Sequence, residues 1–343
     1  MTGVQTCALP IYIGFRGSVF IVDDNFFGNR GRVKELLRGI ADWQEDHDHP
    51  FKLSTEASID LADDPELLEL MATSGFAMVF VGLETPVQES LTAAGKRQNL
   101  KGDMVAKVHR IQEAGIEVTA GFIIGFDSDP PDIARRQIDF IQELGVPTAM
   151  VGLLMALPNT KLWDRLTREG RMLFRSKGNN THTVELNFVP KLPAELLTNA
   201  YHTVLKSIYT PRNYFDRCLG LLKRFPRTAS DRRSKEAAPI TGPQVRALIL
   251  SVVRQGLSHY ALWYWLFVFR AILRRPRLFV TIVTLAVRGH HFFVITDELL
   301  GAGHPREARS ATPARDIAPA ALPLSSSHEP VTATNRGTLI VES

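Results

Sequence analysis

Carboxylates and glycines recur at one kind of place in this chain, just after short runs of β-branched residues. Asp23 and Asp24 follow VFIV, Glu56 ends KLSTE, and Glu84 comes two residues after MVFVG. Gly121, Ile123, Gly125 and Asp127 lie in GFIIGFD, and Leu154, Leu157, Pro158 and Asn159 close the series in LLMALPN. Carboxylates at strand ends can act as general acids and bases or hold a divalent cation. Asp and Asn at such places also cap helices, and Gly turns the chain, which accounts for Asp127 and Asp132. Capping accounts poorly for Glu56 and Glu84: glutamate is a weak strand and turn residue, and a barrel mouth would bury it unless a ligand supplied donors.

The elements that must position these residues alternate strand and helix. Strands are predicted at Val19–Val22, Lys52–Glu56, Met78–Gly82, Glu117–Ile124 and Thr148–Leu154. Their spacing suits parallel strands joined by crossover helices. Val33, Leu36, Ile40 and Trp43 share one helical face, Asp64 with Pro65 starts a second helix, and Asp132–Leu144 gives another. Pro86, Asp103 and Thr160 mark further helix starts. Five such units imply a partial barrel, whose chemistry gathers at the carboxyl ends of its strands.

Composition narrows the class. The 343 residues are 45% hydrophobic and 22% charged, as in globular domains. Two cysteines exclude a disulfide scaffold, a four-cysteine zinc site and a cluster held by this chain's own thiolates, and they point to a reducing cytoplasm. The net charge of +4 is uneven: residues 204–296 carry 16 basic and three acidic side chains, whereas residues 1–203 carry 20 and 27. The opening residues 1–11, MTGVQTCALPI, match codon for codon the translation of a common sequencing adapter, so Cys7 is set aside and the natural protein is expected to begin upstream of Tyr12.

The ordered set FIVDDNFFGN, STEASIDLADDPELLELMATSGFAMVFVGLET, LTAAGKRQN, GIEVTAGFIIGFDSD and LLMALPNTKLWDRLTREGR resembles radical S-adenosylmethionine (SAM) enzymes with a cobalamin-binding N-terminal domain. The later segments FPRTASDRRSKEAAPITGP and VRGHHFF are similar to the group that includes hopanoid C-2 methylases. The resemblance implies an α/β fold, a partial (β/α)6 TIM-like barrel lacking its first strand and cluster loop, followed by a mostly α-helical C-terminal subdomain. It implies that Asp23 and Asp24 meet the methionine ammonium of SAM, and that Glu56 and Glu84 meet its ribose hydroxyls or amino acid end. Gly121, Ile123 and Gly125 would take the adenine, and Leu154 to Pro158 would close that pocket. The family's cofactors are SAM, a [4Fe–4S] cluster and cobalamin. The CxxxCxxC loop that holds the cluster is absent here, so the chain is expected to be an inactive fragment of a methyltransferase acting on an unactivated carbon. Partners implied are a hydrophobic or lipid-like substrate and an electron donor such as flavodoxin or ferredoxin.

The organisation expected is therefore an adapter-derived 1–11, a barrel over 12–176 holding strands 2–6, connecting helices and a basic linker over 177–243, an apolar and basic helical domain over 244–300, and a disordered tail over 301–343. In the rear, YALWYWLFVF (260–269) and LFVTIVTLAV (278–287) are ten-residue apolar runs split by arginines, each too short to span a bilayer. They read either as a pair of buried helices or as a surface touching membrane or lipid through 244–296, peripheral to the inner membrane face. Nucleic acid is disfavoured, because the basic residues alternate with bulky aliphatics. His47/His49 and His290/His291 read as solvent-facing rather than as metal ligands. Cys218 reads as a packed core thiol. Val19–Val22 is expected to be an exposed edge that lowers solubility. Two other readings remain open: a barrel hydrolase or lyase using the strand-end carboxylates, and a non-catalytic membrane-associated module centred on 244–296.

Overall fold

A computed structural model describes residues 15–22, 26–175, 186–227, 242–301 and 338–342. The adapter-like segment, Asp23, Asp24 and the greater part of the tail lie outside the described residues. β1 (Gly17–Val22), β2 (Phe51–Ala57), β3 (Phe76–Glu84), β4 (Glu117–Ile124) and β5 (Ala149–Leu153) form one sheet, and each neighbouring pair is parallel. The strand order 5-4-3-2-1 follows the chain, with a further strand, β6 (Thr338–Glu342), beyond β1. This open half-barrel carries helices over one face, onto which Val79, Val81, Leu83, Val118, Ala120, Phe122 and Ile124 are fully buried.

The intervening helices begin where the sequence supplies acceptors for free backbone N–H groups. Asn29 accepts from Arg32 at the head of α1 (Arg30–Asp46), and Asp64 accepts from Leu67 at the head of α2 (Pro65–Thr73), where Pro65 takes the first helical position. α3 (Gln88–Ala93) lacks such a cap, while Asp103 serves α4 (Met104–Glu113) and Thr160 serves α6 (Lys161–Arg168). α5 (Ile133–Leu144) ends on Gly145 at φ +62°, the left-handed turn that glycine makes without strain.

The helical part comprises α7 (Ala194–Ile208), α8 (Pro211–Arg224), α9 (Gly242–Gly256), α10 (Ala261–Arg274) and α11 (Phe279–Gly301). Its attachment to the barrel is polar and buried. Arg217 of α8 donates to the carbonyl of Val146 and to Gln142 Oε1, with its guanidinium 5.8 Å from the rings of both Tyr209 and Tyr214. Arg288 of α11 pairs with Glu117 at the start of β4, at the end of the sheet opposite the carboxyl ends of the strands. Gly289 lets α11 lie against Tyr214, since a Cβ there would stand 2.5 Å from its ring, and Tyr214 Oη donates to the Leu285 carbonyl. Cys218 is fully buried in this interface, as expected, and burial pushes its thiol up to about 12.

Several expectations change. The pair of rear helices is a set of three, and the run at 278–287 continues into the 23-residue α11. That helix is long and apolar enough to cross a membrane, the only such helix among the described residues. One stripe of it, Ile282, Leu285, Ala286, Gly289 and Phe293, is buried, and Arg288 reaches the barrel, so this face is docked, while Phe279, Val280, Val287, Val294 and Leu299 are exposed. Within the tail, Thr338–Glu342 pairs in parallel with Ser18–Val22, so the edge of β1 is covered rather than exposed. His49 and His290 are half-buried, and Tyr260 Oη lies 2.6 Å from His290 Nδ1, so neither simply faces solvent.

Candidate functional site

Strand register puts much of the predicted set on one face of the sheet. Glu56 pairs with Phe80, Phe80 with Thr119, Gly82 with Gly121, Gly121 with Met150, and Ile123 with Gly152. Alternation along a strand sends these side chains to the concave face, opposite the buried Val79, Val81 and Ala120. Glycine at 82, 121 and 152 puts three residues without side chains on that face of three adjacent strands, a glycine floor set among the side chains of Phe80, Met150 and Ile123. The space is bounded: a Cβ on Gly121 would stand 3.0 Å from Phe80 Cζ, and one on Gly82 would stand 2.7 Å from Glu84 Oε1.

Glu84 is buried, and its carboxylate receives Lys96 Nζ at 2.8 Å. The donor expected from a ligand is thus supplied by the chain's own LTAAGKRQN segment. The backbone at Glu84 sits at φ +67°, where the β3–β4 register shifts between Gly82 and Glu84. Two buried amides hold this end of β3. Asn99 Nδ2 donates to the carbonyls of Gly82 and Leu83 at 3.1 Å each, and Gln137 Nε2 donates to that of Glu84 at 3.2 Å. Glu56 departs from expectation, for it is exposed among the described residues.

The loop after β4 is fixed by a carboxylate that sequence reasoning passed over. Asp129 accepts from Gly125 N at 2.8 Å, Phe126 N at 3.1 Å and Ser90 Oγ at 2.9 Å. Burial raises its pKa, against the opposing pull of those donors. Gly125, at φ +113°, makes the turn that brings both N–H groups to one oxygen. Leu154, whose N–H donates to the Ile124 carbonyl at 2.8 Å, packs over Gly125, while Pro158 lies further on, in the turn leading to Thr160. Ile123, Gly125 and Leu154 are therefore brought together.

Asp127 and Asp132 are not hydrogen-bonding caps. Asp127 takes Arg171 through both oxygens, at 2.6 and 2.9 Å, and Arg165 at 2.7 Å, and the Arg171 guanidinium holds its carboxyl down at about 2. Asp132 stands at the head of α5 without a cap hydrogen bond and pairs with Arg135 and Arg136. Of the missed residues, Lys96, Asn99 and Gln137 act through contacts distant in sequence, and Asp129 through the turn at Gly125 and through Ser90. Asp129 alone left a local signal, an acidic residue four positions after a turn glycine.

An uncharacterised methyltransferase of Synechocystis sp. is 39% identical over 282 residues, covering 82% of this chain and 52% of that protein. The hopanoid C-2 methylase of Rhodopseudomonas palustris is 31% identical over 321 residues, 90% of this chain and 57% of that protein. By sequence the chain is similar to the methyltransferases that include hopanoid C-2 methylase. Bacteriochlorophyllide d C-12(1)-methyltransferase of Chlorobaculum tepidum is more distant, 24% identical over 189 residues, which is 55% of this chain and 40% of that protein. Residues 160–302 match a domain of unknown function, DUF4070. The radical SAM methyltransferase TsrM of Kitasatospora setae, solved with cobalamin and a [4Fe–4S] cluster, aligns over 83% of this chain and 54% of its own, at 15% identity and a TM-score of 0.44. The chain spans about half the length of the curated relatives it matches, 52% and 57%.

Proposed function

We propose that this chain carries the SAM-binding barrel face of a cobalamin-dependent radical SAM methyltransferase that methylates an unactivated carbon of a hydrophobic, lipid-like substrate. The observation that carries the reading is the shared register of Glu56, Gly82, Gly121, Ile123 and Gly152 on one concave face. The glycine floor would receive the adenine, with Ile123 against the ring. Glu56, which is exposed, and Glu84, held by Lys96, are suited to ribose hydroxyls or to the amino acid end. Asp129 holds the Gly125 turn so that its backbone can approach the ligand. In the family SAM supplies the methyl group and the adenosyl fragment. Relatives named for hopanoid and bacteriochlorophyllide substrates support an apolar acceptor.

A [4Fe–4S] cluster does not fit the residues of this chain. Its cysteines are Cys7 and Cys218, and Cys218 is buried with its thiol raised far from the thiolate that iron requires. The chain alone therefore makes no adenosyl radical. Cobalamin, the cluster and an electron donor of flavodoxin or ferredoxin type belong to the intact parent, which we place in the cytoplasm. Calorimetric titration of the chain with SAM tests the reading. Saturable binding is expected, weakened at least about tenfold by Gly121→Val, whose side chain would crowd Phe80. Absence of binding, or equal binding by both proteins, overturns it.

A further inference from the structure

The helical domain turns part of itself inside out. α9 buries Ser251 and Gln255, which hydrogen-bond to each other at 2.8 Å, while Val245, Ile249, Leu250, Val252 and Val253 are exposed. A helix folded for water alone places these the other way round. α10 continues the pattern: Leu262, Trp265, Phe269 and Leu273 are exposed at spacings of three and four, one stripe along the helix. The stripes meet where Trp265 lies on Gly256, its Nε1 donating to the Gly256 carbonyl at 3.2 Å. Leu257, beside that contact, is 84% exposed.

Charge identifies what covers this surface. Residues 242–296 contain seven arginines and no aspartate or glutamate. Arg275 is taken by the Phe225 and Pro226 carbonyls and Arg288 by Glu117, while Arg246, Arg254, Arg270 and Arg274 are exposed among the aliphatics. A protein partner that matched only the apolar stripes would strand these cations. An anionic bilayer supplies both an apolar interior and a phosphate layer at its rim, where an indole and arginine stems are favoured.

We infer that the exposed faces of α9 and α10 form a docking surface for the headgroup region of an anionic membrane, onto which the domain lies without crossing it. The inference does not depend on SAM binding, so either can fail alone.

Co-sedimentation of the full chain with phosphatidylglycerol-containing vesicles tests it, with pure phosphatidylcholine vesicles as the neutral comparison. Binding is expected to the anionic vesicles and to fall with added salt. Arg270→Gln and Arg274→Gln should each weaken it about fivefold. Phe269→Asp with Leu273→Asp should abolish it, while circular dichroism melts stay unchanged because both side chains are already exposed. Leu257→Asp provides the same readout should that double variant unfold. No sedimentation, equal binding to both vesicle types, or a dimer in light scattering that the Phe269 and Leu273 substitutions dissolve would overturn the inference, the last by naming a second copy as the occupant.

Discussion

Asp129 in the loop after β4 and Gln255 in α9 are both buried polar side chains, and they are served very differently. Each Asp129 oxygen has donors, two of them backbone N–H groups of the turn it stabilises. Gln255 donates to Ser251, but its Oε1 has no partner. The first is a polar group buried in order to hold a backbone shape. The second is buried because the outer face of its helix is given over to aliphatics. One region is organised around a small polar ligand, the other around an apolar environment, and the polar residues record the difference.

The strongest way to break this contrast is to uncouple the two regions. Arg288→Ala leaves Glu117 buried without its cation, and a loss of about 3 kcal/mol or more is expected in urea denaturation. Replacing both partners by Leu and Met should restore much of that stability; if it does not, the pair does more than dock one region on the other.

Asp127→Asn tests the polar side of the contrast and should cost about 1–2 kcal/mol, discounted for partial solvent exposure. The Arg171 and Arg165 contacts lower the folded carboxyl to about 2 from 3.8, so its stabilisation is complete above 3.8 and is lost as pH falls through about 2. Acid titration of the melting temperature should therefore show the wild type and Asp127→Asn converging at the acid end. The smallest effect is expected from Gln255→Leu, between neutral and about 1 kcal/mol stabilising, because it removes an unpaired buried carbonyl oxygen. Clear destabilisation would mean that a buried water satisfies that oxygen, and would narrow the difference between the two regions.

The sheet was legible because β-branched runs bounded by Gly, Asp and Pro signal strands directly, and all five predicted strands from Val19 to Leu154 appear within about three residues of their expected bounds. The capping roles of Asp64, Asp103 and Thr160 were equally local. Lys96, Asn99 and Gln137 were not legible as site residues, since their partners lie 12 to 53 positions away and only the folded register brings them to the end of β3. The apolar run at 260–269 marked α10 without saying which of its faces meets the core. Averaged composition over the tail hid the five-residue run TLIVE, which is β-forming on its own terms.

Glu84 adopts a backbone conformation that an L-residue with a long side chain visits at a cost of about 1 kcal/mol or more, and that glycine would take freely. Glycine already occupies position 82 nearby, so the fold has the means to relax this corner. A glutamate at 84 instead keeps a negative charge at the lip of the floor, tethered to Lys96 and clamped from behind by Gln137. The molecule gives up local comfort to hold one anion at a fixed address, and a ligand arriving there must either compete with the lysine or recruit it.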